Sequence, residues 1–284
     1  MRLTGLLMAL LALIAAPVAA EAPARLIPLE RQLSALAESN PGNVGIAALD
    51  LRSGELVSVE GDTPFPMAST VKVAIAALYL AQVEAGRRSL DDTIRGRSAN
   101  SLMEAMMIHS DNRATDILLA NLGGPHRVHQ WLHDNGISGL RVDRTIAQLL
   151  GDRRDLNDVR DSSTPRAMVN LLKKIDSGSL INRGSRSYLL SLMARCQTGK
   201  NRMRALLPGG TRVEHKTGTL NGLTTDVGFI TMPDGRRLAV ALFARSGSNR
   251  PATLAQAARV IYDGFVRMVT GPFGGGFGTP VAAR

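Results

Sequence analysis

The sequence of residues 67–84 is MASTVKVAIAALYLAQVE. Its long apolar run predicts a buried helix that begins near Ser69. A serine at a helix N-terminus lies beside free backbone N–H groups and the positive end of the helix dipole. Lys72 follows one turn later and returns to the same side of the helix. Because burial disfavours the charged form of a lysine, Lys72 can accept a proton from Ser69.

Two further motifs lie at the ends of predicted elements. The tripeptide S-D-N, Ser110–Asn112, separates two helical stretches, where a hydroxyl and an amide can relay a proton and hold a substrate amide. The tripeptide K-T-G, Lys216–Gly218, ends a predicted strand, where Lys and Thr can bind a carboxylate and Gly leaves room for a substrate. Taken alone, S-x-x-K, S-D-N and K-T-G are each more typical of an ordinary cap, strand or turn.

Strand patterns at both chain ends enclose a helical middle. The patterns predict helices over 26–39 and 252–268, and strands over 44–51, 55–60, 211–217, 224–232 and 237–246. We therefore expect an α+β fold, with a mostly antiparallel sheet built from both chain ends and flanked by terminal helices, and an all-helical middle subdomain. A cleft between these two parts is a natural place for a site.

This pattern also predicts a domain organisation. A single domain covers residues 26–268. Its sheet subdomain consists of residues 26–65 plus 211–268, and its helical subdomain of residues 66–210. The glycine-rich residues 271–284 are predicted to form a disordered tail.

The first twenty residues have the pattern of a secretory signal peptide. Arg2 precedes an apolar run over 6–16, and small residues at 18–20 fit cleavage after Ala20. The run is too short to span a bilayer comfortably, and an uncleaved anchor is the alternative. We expect an exported protein, periplasmic or secreted, with no membrane span after cleavage.

The composition excludes several classes of protein. Hydrophobic residues make up 44% of the 284 residues, which is too many for a disordered chain. The net charge is +10, but the basic residues are spread along the chain and only 4% of residues are aromatic, which argues against nucleic acid as a partner. The single cysteine, Cys196, excludes an intrachain disulfide and a cysteine-based metal cluster. We expect a monomer that needs no metal or cofactor.

Three histidines share one side of a predicted helix. His126, His129 and His133 have the spacing i, i+3 and i+7, which could hold a metal ion. No carboxylate pattern accompanies them, so a solvated helix face is the default interpretation.

The three motifs together, in this order and each at the end of an element, resemble those of the class A β-lactamase and penicillin-binding serine hydrolase superfamily. The resemblance extends from about residue 26 to 268. It implies that Ser69 is the acylated nucleophile, that Lys72 is the general base and that Ser110 donates a proton to the leaving nitrogen. Asn112 would hold the substrate amide, and the strand Lys216, Thr217 and Gly218 would bind the substrate carboxylate. The N–H groups of Ser69 and Thr219 would form the oxyanion hole.

One residue of that family's pattern is missing. Class A β-lactamases carry a glutamate in an omega loop that activates the water for deacylation. One alignment places this position on Ile146 and a rival alignment places it on Arg153. Both alignments lead to the same conclusion, that the glutamate is missing, because no glutamate occurs between Glu104 and Glu214.

Two aspartates are the nearest substitutes for the missing glutamate. Asp152 and Asp155 lie in the same loop, but each is shorter by one methylene and would need a reshaped loop. The resemblance also implies that Arg144 pairs with Asp161 across the ends of the loop. Loss of a general base costs the step that it serves about 10²–10⁴-fold, so acylation can proceed while deacylation stalls.

The predicted function is an exported active-site-serine hydrolase that opens the β-lactam amide through an acyl-enzyme on Ser69. Two alternatives stay open: a D-alanyl-D-alanine carboxypeptidase or other peptidoglycan hydrolase, and a penicillin-binding module that does not turn over. The expected partner is a small-molecule β-lactam or a peptidoglycan stem peptide. The segment between Lys72 and Ser110 is shorter than is usual in the family, and the more open cleft would suit a bulky substrate.

Overall fold

The computed structural model describes residues 24–270. The predicted signal peptide, residues 1–20, and the predicted tail, residues 271–284, lie outside the described residues. Within the described range, every helix is too short or too polar to span a bilayer.

The elements follow the order expected from the sequence. The strands are β1 (Asn43–Asp50), β2 (Leu56–Val59), β3 (Phe65–Pro66), β4 (Thr93–Ile94), β5 (Arg97–Ser98), β6 (Ser162–Ser163), β7 (Val213–Leu220), β8 (Leu223–Thr231) and β9 (Arg237–Arg245). The α-helices are α1 (Ile27–Glu38), α2 (Lys72–Glu84), α3 (Ala99–Ile108), α4 (Asn112–Asn121), α5 (Pro125–Asp134), α6 (Ile146–Gly151), α7 (Pro165–Asp176), α8 (Arg183–Ala194) and α9 (Arg250–Thr270). Short 3₁₀ turns cover Ala24–Leu26 and Ala68–Val71.

The main sheet has the strand order β2-β1-β9-β8-β7, and all neighbouring strands in it are antiparallel. Most residues of β1, β8 and β9 are buried regardless of which face they occupy, so layers of helices cover both faces. Strand β7, which carries the K-T-G motif, is an edge strand.

Two hydrophobic cores lie on the two faces of the sheet. On one face, α1 and α9 pack against side chains such as Ile46 and Val240. On the other face, α7 and the helical middle pack against side chains that include Phe229 and Phe243. Helix α2 lies inside this second core, and every residue from Lys72 to Leu80 is buried. This position accounts for the apolar run in its sequence.

The predicted α+β architecture, with a sheet built from both chain ends, is confirmed by the strand order. The middle of the chain is mostly helical, but it also contains short strand pairs. Strand β3 pairs with β6, and β4 pairs with β5 through a tight turn. The β3–β6 pair ties the segment before α2 to the end of the loop over residues 143–161. The subdomain boundaries stay a prediction.

The edge strand β7 approaches the 3₁₀ turn Ala68–Val71 closely because residue 218 is a glycine. A Cβ added at Gly218 would lie 2.6 Å from the carbonyl oxygen of Met67 and 3.0 Å from the Cβ of Ala68. A backbone oxygen cannot rotate out of the way as the end of a long side chain can. Gly218 therefore sets the distance between the K-T-G strand and the turn that carries Ser69.

We expect the substitution Gly218→Ala to lower the free energy of unfolding by about 1–3 kcal/mol, because it overpacks this contact. The measurement is urea unfolding of both proteins. Gly209→Ala is the matched control, since a Cβ there has nothing within 4 Å and leaves the fold unstrained. Equal unfolding free energies for the two variants would contradict the proposed close approach.

Candidate active site

Ser69 lies in the 3₁₀ turn that leads into α2. Its side chain is half-buried, whereas Ala68 and Thr70 are buried. Ala68 adopts a φ of +48°, a strained conformation for a residue with a Cβ. The backbone N–H of Lys72 donates to the Ser69 carbonyl, which fixes the serine one turn before the lysine. Among the described residues, the Ser69 hydroxyl makes no side-chain hydrogen bond.

The Lys72 side chain is completely buried and extends from α2 to the junction between α3 and α4. Its Nζ donates to the Ser110 carbonyl oxygen at 2.7 Å and to the Ser110 hydroxyl at 3.2 Å. It also donates to Asn112 Oδ1 at 2.8 Å. These contacts use all three donors of an ammonium group. The predicted S-x-x-K and S-D-N motifs therefore meet in the structure.

Lys216 on β7 donates to the same hydroxyl. Its Nζ donates to Ser110 Oγ at 2.9 Å and to the Thr217 carbonyl oxygen at 2.8 Å, and its side chain is completely buried. Ser110 has a φ of +60° because the chain turns sharply between α3 and α4. The Ser110 hydroxyl thus lies between two buried lysine ammonium groups, one from α2 and one from β7.

Burial lowers the pKa of both lysines. Desolvation, together with repulsion from Lys216, lowers the pKa of Lys72 to about 7. Desolvation also lowers the pKa of Lys216 to about 8. No ion pair among residues 24–270 neutralises either ammonium group. Near neutral pH, the neutral amine of Lys72 is therefore well populated, as a general base requires.

The remaining predicted residues lie along β7 and at the start of α4. Asn112 is exposed and opens α4, while Gly218 and Thr219 follow Lys216 on β7. The side chain of Thr217 is buried, and its hydroxyl contacts the hydroxyl of Thr198. Hydrogen bonds thus join Lys72, Ser110, Asn112 and Lys216, and β7 packs against the turn that carries Ser69. The roles predicted for these residues stay predictions.

Arg202 is a residue of this region that the sequence analysis missed. Its Nη1 donates to the carbonyl oxygens of Gly218 and Thr225 at 2.9 and 3.0 Å, and its Nη2 donates to Thr219 Oγ1 at 2.6 Å. Desolvation lowers the pKa of this buried guanidinium. Arg202 lies in a loop without helix or strand periodicity, and no motif surrounds it. Only its tertiary contacts identify it.

Asp226 holds the loop that carries Arg202. Its Oδ2 accepts a hydrogen bond from the backbone N–H of Met203 at 3.2 Å. Its Oδ1 lies 2.8 Å from Nδ1 of His215, and both side chains are completely buried. His215 alternates with Lys216 along β7, so the two side chains lie on opposite faces of the sheet. His215 is therefore part of a buried pair outside the lysine cluster.

The loop over residues 143–161 is closed at its neck by Asp161. This carboxylate accepts hydrogen bonds from the backbone N–H groups of Asp143 and Arg144 at 2.8 and 3.0 Å. It also accepts one from Nε of Arg144 at 2.6 Å. The pairing of Arg144 with Asp161 that the resemblance implies is confirmed.

The structure shows the surroundings of the two positions considered for the missing glutamate, neither of which has a carboxylate. Ile146 is buried at the first turn of α6, and its N–H donates to Asp116 Oδ1 at 2.7 Å. Arg153 is exposed in the loop beyond α6.

The two substitute aspartates have other partners. Asp152 pairs with Arg144 at 2.8 Å, and Asp155 accepts a hydrogen bond from the Asn157 N–H at 2.8 Å. Across residues 24–270, neither carboxylate contacts Ser69 or the two buried lysines. The geometry therefore gives no support to either aspartate as a base.

The three histidines of α5 do not converge on one point. His126 and His133 are exposed and His129 is half-buried, while Val128 and Leu132 supply the buried face of the helix. In the part of the chain that the structure describes, no three His, Cys, Asp or Glu side chains are placed to hold a metal ion.

Comparison with known proteins places this geometry in one family. A family model described as the β-lactamase enzyme family matches residues 28–265. The extended-spectrum β-lactamase PER-1 of Pseudomonas aeruginosa is 29% identical over 267 residues, which cover 82% of this chain and 86% of that protein. The carbapenem-hydrolysing β-lactamase KPC of Klebsiella oxytoca is 30% identical over 249 residues, which cover 78% of this chain and 84% of that protein.

A solved structure supports the same assignment. The ancestral class A β-lactamase called GNCA superposes with a TM-score of 0.79 at 31% identity, over 83% of this chain and 99% of that one. The family match, the shared fold and the meeting of the three motifs agree. The chain therefore belongs to the β-lactamase enzyme family and has the class A β-lactamase fold.

Proposed function

We propose that this protein is an active-site-serine hydrolase that opens the β-lactam amide through an acyl-enzyme on Ser69 and releases the acyl group slowly. The observation that carries this proposal is the position of the Ser110 hydroxyl between the buried ammonium groups of Lys72 and Lys216. Such a hydroxyl can pass a proton from one side of the cluster to a leaving nitrogen on the other.

Acylation begins with the neutral amine of Lys72. When Lys72 loses its proton, one nitrogen lone pair becomes free to accept the proton of Ser69, which otherwise has no side-chain partner among the described residues. The Ser69 oxygen then forms a bond to the lactam carbonyl carbon, and the carbonyl oxygen gains negative charge. The backbone N–H groups of Ser69 and Thr219 stabilise this oxyanion.

Collapse of the tetrahedral intermediate breaks the lactam C–N bond. The proton taken up by Lys72 passes through the Ser110 hydroxyl to the leaving nitrogen, so Lys72 becomes neutral again. Lys216 in its ammonium form supplies the positive charge that a substrate carboxylate requires, together with the Arg202 guanidinium, which is bound to the Gly218 carbonyl oxygen of β7. The Thr217 hydroxyl is the neighbouring donor on the same strand.

Among the described residues, no carboxylate contacts Ser69 or the two buried lysines as a base for deacylation would. A water molecule that attacks the acyl-enzyme ester must lose a proton, and neither position that would hold the glutamate, Ile146 on α6 or Arg153 beyond it, has a carboxylate. Asp152 and Asp155 have other partners. We therefore propose that the acyl-enzyme accumulates.

The same observation favours a second candidate function. A protein that acylates readily and deacylates slowly toward β-lactams can use its cleft on a peptidoglycan stem peptide, as a D-alanyl-D-alanine carboxypeptidase or as a penicillin-binding module. All these functions share acylation of Ser69 and differ in the fate of the acyl group. Whichever applies, the pattern of residues 1–20 supports export to the periplasm or medium.

Incubation with excess benzylpenicillin should raise the intact mass of the protein by one benzylpenicillin, because ring opening retains every atom of the drug. We expect this adduct to persist for many times the acylation half-time after free drug is removed. Mass spectrometry follows the adduct, and absorbance follows loss of the drug. Ser69→Ala should form no adduct, whereas the matched control Ser187→Ala, at an exposed position of α8, should behave as the wild type.

Each of the other outcomes would point to a different function or contradict the proposed mechanism. Drug loss without a lasting adduct would contradict slow deacylation and indicate a working β-lactamase with another base. Release of D-alanine from a stem peptide would identify the carboxypeptidase. Acylation of the Ser69→Ala variant would contradict the assigned nucleophile.

A carboxylate restored at position 146 should accelerate deacylation. We expect Ile146→Glu to shorten the lifetime of the benzylpenicillin adduct by about 10²-fold or more, since a general base contributes that much to the step it serves. Ile146→Gln is the control, because it has the same shape and no base. Decay of the adduct in single-turnover mass spectra measures both. Equal lifetimes for the two variants would show that α6 does not face the ester.

A further inference from the structure

A groove of about 470 Å³ opens beside Asn112, between the start of α4, the β4–β5 turn and α6. Asn112 connects it to the lysine cluster, because its Oδ1 accepts from Lys72 Nζ at 2.8 Å. This bond directs the other end of the amide, Nδ2, away from Lys72 and leaves it as a donor. A substrate amide held by Nδ2 would extend its acyl side chain into the groove.

The groove has an apolar wall and a charged rim. Ile117 and Leu150 supply the apolar wall, and Leu150 is 48% exposed, so its side chain is accessible to a ligand. Arg95 and Arg113 lie on the rim, and both are exposed. Neither guanidinium has an ion-pair partner among residues 24–270.

The acidic group in this groove, Asp116, is already engaged. Its two carboxylate oxygens accept hydrogen bonds from the N–H groups of Ile146 and Ala147 at 2.7 and 2.9 Å, at the N-terminus of α6. This carboxylate therefore compensates the helix terminus. With two arginines against one aspartate, the groove has a net positive charge.

Both arginines occupy positions that are unfavourable for the local backbone structure. Arg113 lies in the first turn of α4, where a cation is repelled by the positive end of the helix dipole. Arg95 has a φ of +49° in the two-residue turn between β4 and β5, a position that favours Asn, Asp or Gly. Residues that break local rules in this way are expected at functional positions.

We propose that this groove binds the acyl side chain of the substrate and selects an aliphatic side chain that ends in a carboxylate. The stem packs on Ile117 and Leu150, and the carboxylate pairs with Arg95 and Arg113. This inference rests on the proposed acylation of Ser69 and names the substrate class for it.

The test compares two substrates that differ only in the terminal group of the acyl chain, a carboxylate or a methyl: the glutaryl and pentanoyl amides of 7-aminocephalosporanic acid. They share the lactam, the leaving group and the length of the acyl chain. We expect the wild type to acylate faster with the glutaryl compound, measured as k2/K by stopped-flow absorbance. Because exposed ion pairs are weak, the double variant Arg95→Ala/Arg113→Ala should lose about two- to tenfold on the glutaryl compound and little on the pentanoyl one. Added salt should reduce the preference of the wild type.

Two further variants separate recognition from general effects of charge. Arg95→Lys/Arg113→Lys should keep most of the preference. Arg87→Ala/Arg183→Ala removes the same charge from exposed positions outside the groove and should leave both rates unchanged. A wild type without preference, or equal losses on both substrates in the Arg95→Ala/Arg113→Ala variant, would overturn the inference alone. Failure of both compounds to acylate the wild type would overturn the proposed function and the inference with it.

Discussion

The shared hydroxyl of Ser110 is the constraint on which the site depends. Two lysine side chains from different parts of the chain donate to it, and both are removed from water. A buried ammonium group without an acidic partner is costly, and two of them repel each other. Carbonyl and hydroxyl oxygens, instead of carboxylates, accept hydrogen bonds from the two ammonium groups, and the pKa of each lysine is lowered. The result is a proton acceptor that is available near neutral pH.

The fold explains how two distant lysines meet at one hydroxyl. Helix α2 crosses the core on one face of the sheet, so Lys72 has no route to solvent and extends toward the α3–α4 junction. Strand β7 is an edge strand, so its outer side remains open toward the turn that carries Ser69. Gly218 then allows the strand and the turn to approach within contact distance. The strained conformations of Ala68 and Ser110 lie where these elements meet.

Much of this arrangement could be predicted because it depends on local patterns. The apolar run after Ser69 predicts a buried helix and hence a buried Lys72, and alternating residues near the C-terminus predict the strands of the sheet. What depends on tertiary contacts could not be predicted in the same way. The contribution of Lys216 to the lowered pKa of Lys72, the burial of Arg202 behind Thr219 and the pairing of β3 with β6 all join segments far apart in sequence. A single sequence carries no periodic signal for such contacts.

The most direct test of this account is the protonation state of Lys72. The chain has only five lysines, so NMR with lysine labelled at the ε-carbon gives few resonances, and Lys72→Gln identifies the one that belongs to Lys72. We predict that this resonance titrates with a midpoint at about pH 7, because burial and the neighbouring Lys216 both disfavour the ammonium form. A midpoint near 10.5, the ordinary value for a lysine, would contradict it.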